Sequence, residues 1–298
     1  MHVELIVPGL LDVPEATRLP ALELLLARGR SSASEPQGYE AWLGDAFGVE
    51  PLPAGALTAS AEGFWLRADP VHLRVMRDRL VLVPVSGLER AEAEALTGAL
   101  NRHFAGTHEF RFDHPDRWVM RTEPADFDAA PTSEVAGRDV DAHLPGGKWP
   151  ALLNEIQMVL HEHPVNERRE VPVNSVWLWG AGALPASAAG PWRSVTADDP
   201  VALGLARLAG IRHRPPPRTA HAWLAELSEE GHHLVVLETS HETLEANWFA
   251  PLHAALKSGR IGMLTLHAPD AGLTVEIARS DLRRFWRRPS PVASHAPR

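Results

Sequence analysis

The chain has 298 residues, of which 45% are hydrophobic and 22% charged, and its formal net charge is −9. This composition supports a full hydrophobic core, so a disordered polymer is excluded, and the length fits one large domain or two unequal ones. The negative charge disfavours a nucleic-acid partner, because binding to phosphates needs a basic surface. A small anion still fits a local positive pocket.

The absence of cysteine excludes disulfides and thiolate metal sites and is consistent with the cytoplasm, which is the expected location. No apolar run approaches the ~20 residues of a membrane span. The first residues lack the basic region of a secretory signal. We therefore expect neither a membrane partner nor secretion.

The first part of the chain reads as a strand, a helix, a loop and a second helix. An apolar run predicts the strand over residues 3–7, and helical apolar spacing predicts helices over 19–27 and 39–47. Serines at 31, 32 and 34 lie between the two helices. A serine cluster in this position is typical of a flexible loop.

The segment from residue 63 to 147 has its own pattern of two strands, a helix and two strands, and it predicts a small inserted α+β subdomain with a return linker. The core domain is then discontinuous, with residues 1–62 and 148–298. We expect residues 289–298 to form a disordered tail, because this segment is rich in proline.

The central stretch, residues 161–185, links a helix to a buried strand. The helix is predicted to end at His163, because a residue that precedes proline is pushed out of the α region. The strand is predicted over 173–179, and Gly180 and Gly182 follow it directly. Open α/β sheets bind ligands at the carboxyl ends of their strands, so bare backbone at this point predicts a ligand site.

After this stretch, strands and helices alternate, which favours a parallel sheet. The predicted helices cover 201–209, 220–230 and 242–257, and the predicted strands cover 232–239, 262–267 and 273–278. The fold class is therefore α/β, with a mainly parallel sheet flanked by helices and a small inserted α+β subdomain.

The residues from His163 to Pro185 read H-P-V-N-x-x-R and then V-N-x-x-W-L-W-G-x-G-x-x-P. This pattern resembles the archaeal-type cofactor-independent phosphoglycerate mutases of the alkaline phosphatase superfamily. It is closer still to a group of bacterial phosphoglycerate mutase-like proteins, some of which are regulators of pathogenicity factors. The resemblance implies an alkaline phosphatase-like core.

The resemblance also implies a catalytic pair of metal ions, and the chain departs from that expectation. In the family the first strand ends in Asp-Gly-x-x-Asp, whose first aspartate binds metal, whereas Pro8-Gly9 stands here. The nucleophilic serine of the family is expected near residues 30–39, where Gly38-Tyr39 falls closest. Two later strand ends should supply aspartates and histidines.

The chain offers only Glu238, His241 and His267 at those strand ends, so we expect no metal cofactor. The alternative is a divalent ion such as Mn²⁺ or Zn²⁺ held by these three residues. His232 and His233 are adjacent in a predicted strand, so their side chains should point to opposite faces of the sheet.

The candidate ligand-binding residues lie around the central strand. A loop arginine beside glycine amides suits a carboxylate or phosphate, while Arg67 resembles a family arginine near the site or forms a salt bridge with Asp69 or Asp78. The predicted set is Asn166, Arg169, Asn174, Gly180, Gly182, Arg67 and His163.

Two functions therefore remain open. The first is a degenerate phosphoglycerate mutase-like protein with a binding or regulatory role and a small anionic metabolite as ligand. The second is a metal-dependent mutase or related phosphoryl-transfer enzyme with rearranged ligands. The sequence assigns no catalytic residue and no protein partner.

Overall fold

The computed structural model describes residues 1–295 apart from 15, 78, 141, 142, 145, 228, 229, 239 and 240, and it describes only the backbone at 241 and 242. The chain divides into two compact units. Unit 1 contains Met1–Gly48 and Ser187–Arg298, and unit 2 contains Val49–Ala186.

Unit 1 is built on a seven-stranded sheet. Its strands are β1 (His2–Ile6), β2 (Arg30–Ala33), β8 (Ser194–Ala197), β9 (Arg212–Arg214), β10 (His232–Val236), β11 (Met263–Ala268) and β12 (Leu273–Ala278). The strand order is β2-β12-β11-β1-β10-β8-β9. The strands from β11 to β9 are parallel, whereas β12 and β2 are antiparallel at one side. The predicted α/β class with a mainly parallel sheet is confirmed.

The helices of unit 1 flank this sheet. They are α1 (Pro20–Arg28), α2 (Tyr39–Phe47), α7 (Pro200–Leu208), α8 (Ala220–Glu226), α9 (His241–Leu244) and α10 (Ala250–Ser258), with a π-helical turn at Glu245–Phe249 before α10. Alternation in β1 sends Val3 and Leu5 into the main core, which also contains residues of α1 and α10. His2 and Glu4 therefore lie on the opposite face of the sheet.

Within the described residues, unit 2 contains a five-stranded antiparallel sheet and four α-helices. The strands are β3 (Phe64–Val75), β4 (Leu80–Pro84), β5 (Glu109–His114), β6 (Arg117–Thr122) and β7 (Ser175–Gly182), and the helices are α3 (Ala54–Ala59), α4 (Arg90–His103), α5 (Thr132–Val135) and α6 (Trp149–His161). The sheet order is β4-β3-β6-β5, and β7 pairs with β3. Apolar residues of α4, α6 and the sheet form the core of this unit.

The strand predicted over 173–179 exists, but its predicted place in the parallel sheet is wrong. It forms β7, which is antiparallel to β3 in unit 2, with Ser175 opposite Val71. A strand buried on both faces has the same apolar pattern in either sheet, so the local sequence does not select the partner. The compact units divide at 48/49 and 186/187, whereas the sequence predicted divisions at 62/63 and 147/148.

Two further predictions are corrected. The serine segment is not an irregular loop, because Ser31 and Ser32 belong to β2 and pair with β12. The segment predicted as a disordered tail is ordered through residue 295, with a 3₁₀ turn over Val292–His295 and Val292 fully buried in the unit 1 core. The last three positions of that predicted tail lie outside the described residues.

Among the described residues, no helix is both long enough and apolar enough to span a membrane.

Candidate functional site

The carboxyl edge of the parallel strands is where α/β folds place ligands, and several polar residues of unit 1 lie there. Asp198 and Asp199 follow β8, and Glu238 lies two residues beyond β10. Both carboxylate oxygens of Asp198 accept from the Glu238 backbone N–H, at 3.0 and 3.1 Å. The loop after β8 is thus tied to the loop after β10.

Asp199 caps helix α7 and binds the first residue of helix α2. Its carboxylate accepts hydrogen bonds from the N–H groups of Val201 and Ala202 at 3.0 and 3.1 Å, as an aspartate at this position is expected to do. The Tyr39 hydroxyl donates to Oδ2 of Asp199 at 2.7 Å. Both side chains are buried. Burial, and then the nearby charge of Asp199, raises the pKa of Tyr39 well above its usual value.

The raised pKa leads to a spectroscopic prediction, since Tyr39 is the single tyrosine of the chain. Native protein should show no tyrosinate absorption as the pH passes 10.0, the ordinary value, and the signal should appear on unfolding. A raised folded-state pKa also means that this stabilising contribution is complete below pH 10 and is lost as the pH rises towards the folded pKa. Tyr39→Phe should remove this pH dependence, which denaturant titrations can measure. Native tyrosinate at an ordinary pKa would contradict the buried pair.

The two-metal site implied by the family resemblance does not fit the residues at this edge. Pro8 offers no side-chain oxygen after β1, and Tyr39, at the position closest to the expected nucleophile, is buried against Asp199. In β11, Leu266 has an apolar side chain and belongs to the main core, so it supplies no metal ligand there. Two divalent ions need several carboxylates and imidazoles that converge on one pocket, and here Asp198 and Asp199 bind backbone N–H groups instead.

The three residues predicted for a single ion are not all observable. The side chain of His241 lies outside the described part of the structure. His267 has its Nε2 3.3 Å from Oε2 of Glu4 on β1. Glu238 is exposed and follows β10. His267 therefore associates with a glutamate that sequence reasoning did not select.

Glu4 is the centre of a polar cluster on the sheet face opposite the main core. Its carboxylate contacts Nε2 of His232 and of His267, at 2.5 and 3.3 Å. The His2 ring stacks on the His232 ring, with centroids 4.3 Å apart. Burial opposes ionisation of Glu4, but hydrogen bonding and charge from the two histidines outweigh it and lower the pKa of Glu4. His233 instead bonds Ser194 on the other face, which confirms the predicted opposite orientation.

Two of the predicted ligand-binding residues, Asn166 and Asn174, form hydrogen bonds to backbone groups of unit 2. The Asn166 side chain donates to the Leu160 and Val173 carbonyls and accepts from the Val173 N–H, at 2.7 to 2.8 Å. The Asn174 side chain bonds both backbone groups of Leu73, at 2.7 and 2.9 Å. These hydrogen bonds hold the C-terminal end of α6 and the N-terminal end of β7 in place.

Arg169 forms an ion pair with Glu92 at 2.6 Å and also reaches the Ser86 carbonyl at 3.3 Å. The partner therefore lies on α4 and not beside Arg169 in the sequence. Glu92 also closes the capping box of α4 with Glu89. That Arg169 binds an anion stays a prediction, and binding would compete with these contacts.

Gly180 and Gly182 have a packing role. A Cβ on Gly180 would lie 2.7 Å from Cβ of Ala54, and one on Gly182 would lie 2.7 Å from Cβ of Pro53. Their φ values of 59° and 157° lie in the region that favours glycine. The absence of side chains at the end of β7 therefore allows the segment that leads into α3 to pack closely against it.

Arg67 forms the salt bridge that the sequence offered as its alternative role. Its Nε lies 3.0 Å from Oδ1 of Asp69, and both residues are buried in unit 2. Asp78, the other proposed partner, lies outside the described residues. His163 lies just beyond α6, and its Nδ1 accepts from the Val165 N–H at 3.3 Å. Burial, and then Arg102, lowers the pKa of His163.

A positively charged groove in unit 1 was missed by the sequence analysis. It has a volume of about 690 Å³ near the amino ends of β8 and β9, and its lining residues are Arg193, Arg207, Gly210, Ile211, Arg212 and His213. All three arginines are exposed. Arginine recurs just before β8, in α7 and in β9, and this was the available signal, but only the pairing of these strands brings the residues together.

Comparison with known proteins relates the chain to one family. A probable 2,3-bisphosphoglycerate-independent phosphoglycerate mutase from Geobacter sulfurreducens is 30% identical over 57% of this chain and 50% of its own length. A 2,3-bisphosphoglycerate-independent phosphoglycerate mutase from Methanosarcina mazei is 28% identical over the same shares. The chain is a distant homologue of these mutases. It spans about half the length of the curated relatives that it matches.

The similarity of the chain to solved structures concerns its fold. The PH0037 protein from Pyrococcus horikoshii superposes with a TM-score of 0.53 and 14% identity, over 93% of this chain and 87% of that protein. No family model matches the chain.

Proposed function

We propose that this mutase homologue is a binding protein that has lost two-metal phosphoryl transfer and recognises a small anionic metabolite, with a regulatory role. The observation that carries the proposal is the buried bond between Tyr39 and Asp199. A tyrosine hydroxyl of raised pKa that donates to a helix-capping carboxylate is a poor nucleophile. That carboxylate already accepts from Val201 and Ala202, which opposes its use as a metal ligand.

The arginine groove is the ligand site that the charge distribution supports best. Its volume falls within the ~300–1,000 Å³ of small-molecule sites. Arginine presents planar donors that match carboxylate and phosphate oxygens, and three of them concentrate positive charge on a chain whose net charge is −9. Arg207 lies in the last turn of α7, where the helix end contributes only about half a negative charge.

A ligand screen tests the anion proposal. Phosphorylated and carboxylated metabolites, with 3-phosphoglycerate first, should raise the melting temperature of the wild type, and the shift should shrink with added salt. Arg207→Gln should weaken binding by about tenfold, since a charge-assisted hydrogen bond contributes about 1.5–3 kcal/mol. Arg168→Gln is the matched control, because Arg168 is exposed in unit 2.

The control should bind like the wild type. Equal binding by wild type, Arg207→Gln and Arg212→Gln would remove the groove from the proposal. Loss of binding in Arg169→Ala alone would place the ligand near Gly180, where the sequence analysis predicted it.

A phosphoglycerate mutase assay with Mn²⁺ or Zn²⁺ tests the loss of catalysis. We expect no turnover above a protein-free control. Turnover that rises with protein concentration and is abolished in Asp199→Asn would overturn the proposal in favour of a metal-dependent mutase with rearranged ligands.

A further inference from the structure

The polar cluster around Glu4 has the composition of a metal site. The ligand atoms of His2, Glu4 and His232 all lie within 4.8 Å of one another. Two imidazoles and one carboxylate form a donor set that suits divalent transition ions such as Zn²⁺, with at least one position open to solvent.

The sheet itself brings these ligands together. His2 and Glu4 alternate along β1 and so share a face, and His232 on β10 is in register with His2. Parallel pairing fixes both backbones in the centre of the sheet. A site on such a rigid support needs little reorganisation to receive an ion.

Neighbouring side chains orient the three ligands. Thr265 on β11 has its Oγ1 2.8 Å from Nε2 of His2. The indole Nε1 of Trp192 donates to Oε2 of Glu4 at 3.2 Å. His267 approaches the same oxygen at 3.3 Å. Such outer contacts, which fix ring planes and carboxylate rotamers, are characteristic of metal centres in proteins.

The cluster is also accessible while remaining mostly shielded. The side chains of His232 and Glu4 are 27% and 13% exposed. An ion therefore has a path from solvent, and the low exposure of the carboxylate strengthens its attraction for a cation.

We propose that His2, Glu4 and His232 bind one divalent transition-metal ion per chain, with His267, Thr265 and Trp192 as positioning residues. The site lies on a face of the sheet, and none of its three ligands occupies a strand-end position at which the resembled family is expected to hold its metal pair. It is independent of the anion-binding proposal. One bound ion at this site is also compatible with the loss of two-metal catalysis.

Zinc titration of tag-free protein tests the site. After treatment with a chelator, the wild type should bind one Zn²⁺ per chain in calorimetry and elemental analysis, and Zn²⁺ should raise its melting temperature. Glu4→Gln and His232→Asn should each weaken binding by about 100-fold or more, because even the loss of an outer-shell partner costs about 10–100-fold. Bound Co²⁺ should show visible absorption that the variants lose.

Glu162→Gln and His161→Asn are matched controls, since both residues are exposed and lie in unit 2. Circular dichroism of each metal-free variant establishes folding. If a variant does not fold, His2→Asn takes its place, because His2 is half-buried at the start of its strand and its replacement disturbs the core less. The controls should bind as the wild type does. Absence of micromolar Zn²⁺ binding by the wild type, or equal affinity in the folded ligand variants, would overturn the site and leave a hydrogen-bonded cluster.

Discussion

Asp69→Ala should lower the free energy of unfolding by about 3–5 kcal/mol, the usual cost of removing one partner of a buried ion pair. Asp69 accepts from Arg67 at 3.0 Å and, through its other oxygen, from the Thr132 hydroxyl and the Trp179 indole at 2.6 Å each. The variant leaves a buried guanidinium without this carboxylate and takes the acceptor from two buried donors. Urea unfolding followed by tryptophan fluorescence measures the loss.

Asp113→Ala is the matched control, because it removes the same side chain from an exposed pair. Asp113 lies 3.3 Å from Arg117 and is 39% exposed, so its removal should cost at most about 1 kcal/mol. Adding Arg67→Met to Asp69→Ala should recover part of the loss, since the uncompensated charge is then absent. Equal destabilisation by the two alanine variants would contradict a buried network.

Gly180→Ala should cost about 2–5 kcal/mol, the sum of two effects. A left-handed backbone costs a non-glycine residue about 1–2 kcal/mol, and φ is 59° here. The new methyl would also lie 2.7 Å from Cβ of Ala54, and overpacking costs about 1–3 kcal/mol. Chemical denaturation should therefore show a lower midpoint at an unchanged slope.

Gly87→Ala separates these effects. Gly87 has a φ of 71°, and a Cβ added there would meet nothing within 4 Å. This control should lose only the backbone component, about 1–2 kcal/mol. If Gly180→Ala were no more destabilising than Gly87→Ala, close packing against α3 would not explain the glycine at this position. The result would then favour the predicted role of Gly180 in ligand binding.

Local patterns in the sequence determined most elements of the fold. Apolar periodicity predicted β1, β10, β11, β12 and α2, because burial of one face imposes that spacing on any chain. The caps at Asp199 and Thr219 follow from the short range of side-chain bonds to helix N–H groups. The motif around residues 163–185 indicated the family to which the comparisons relate the chain.

The tertiary structure alone decided which residues meet. The polar set around β7 was predicted to face a ligand, but the amides of Asn166 and Asn174 bond backbone groups up to 101 positions away. Conversely, His2 and His232 stack although 230 positions separate them, and Glu4 is in register with residues of two other strands. The alternation of residues in β1 places Glu4 on the face away from the core. The order of the strands, however, depends on burial between residues far apart in the sequence, and a short sequence segment carries no information about it. The sequence thus determined most of the elements and indicated the family to which the chain is related, whereas the pairing of distant strands decided which side chains form a site.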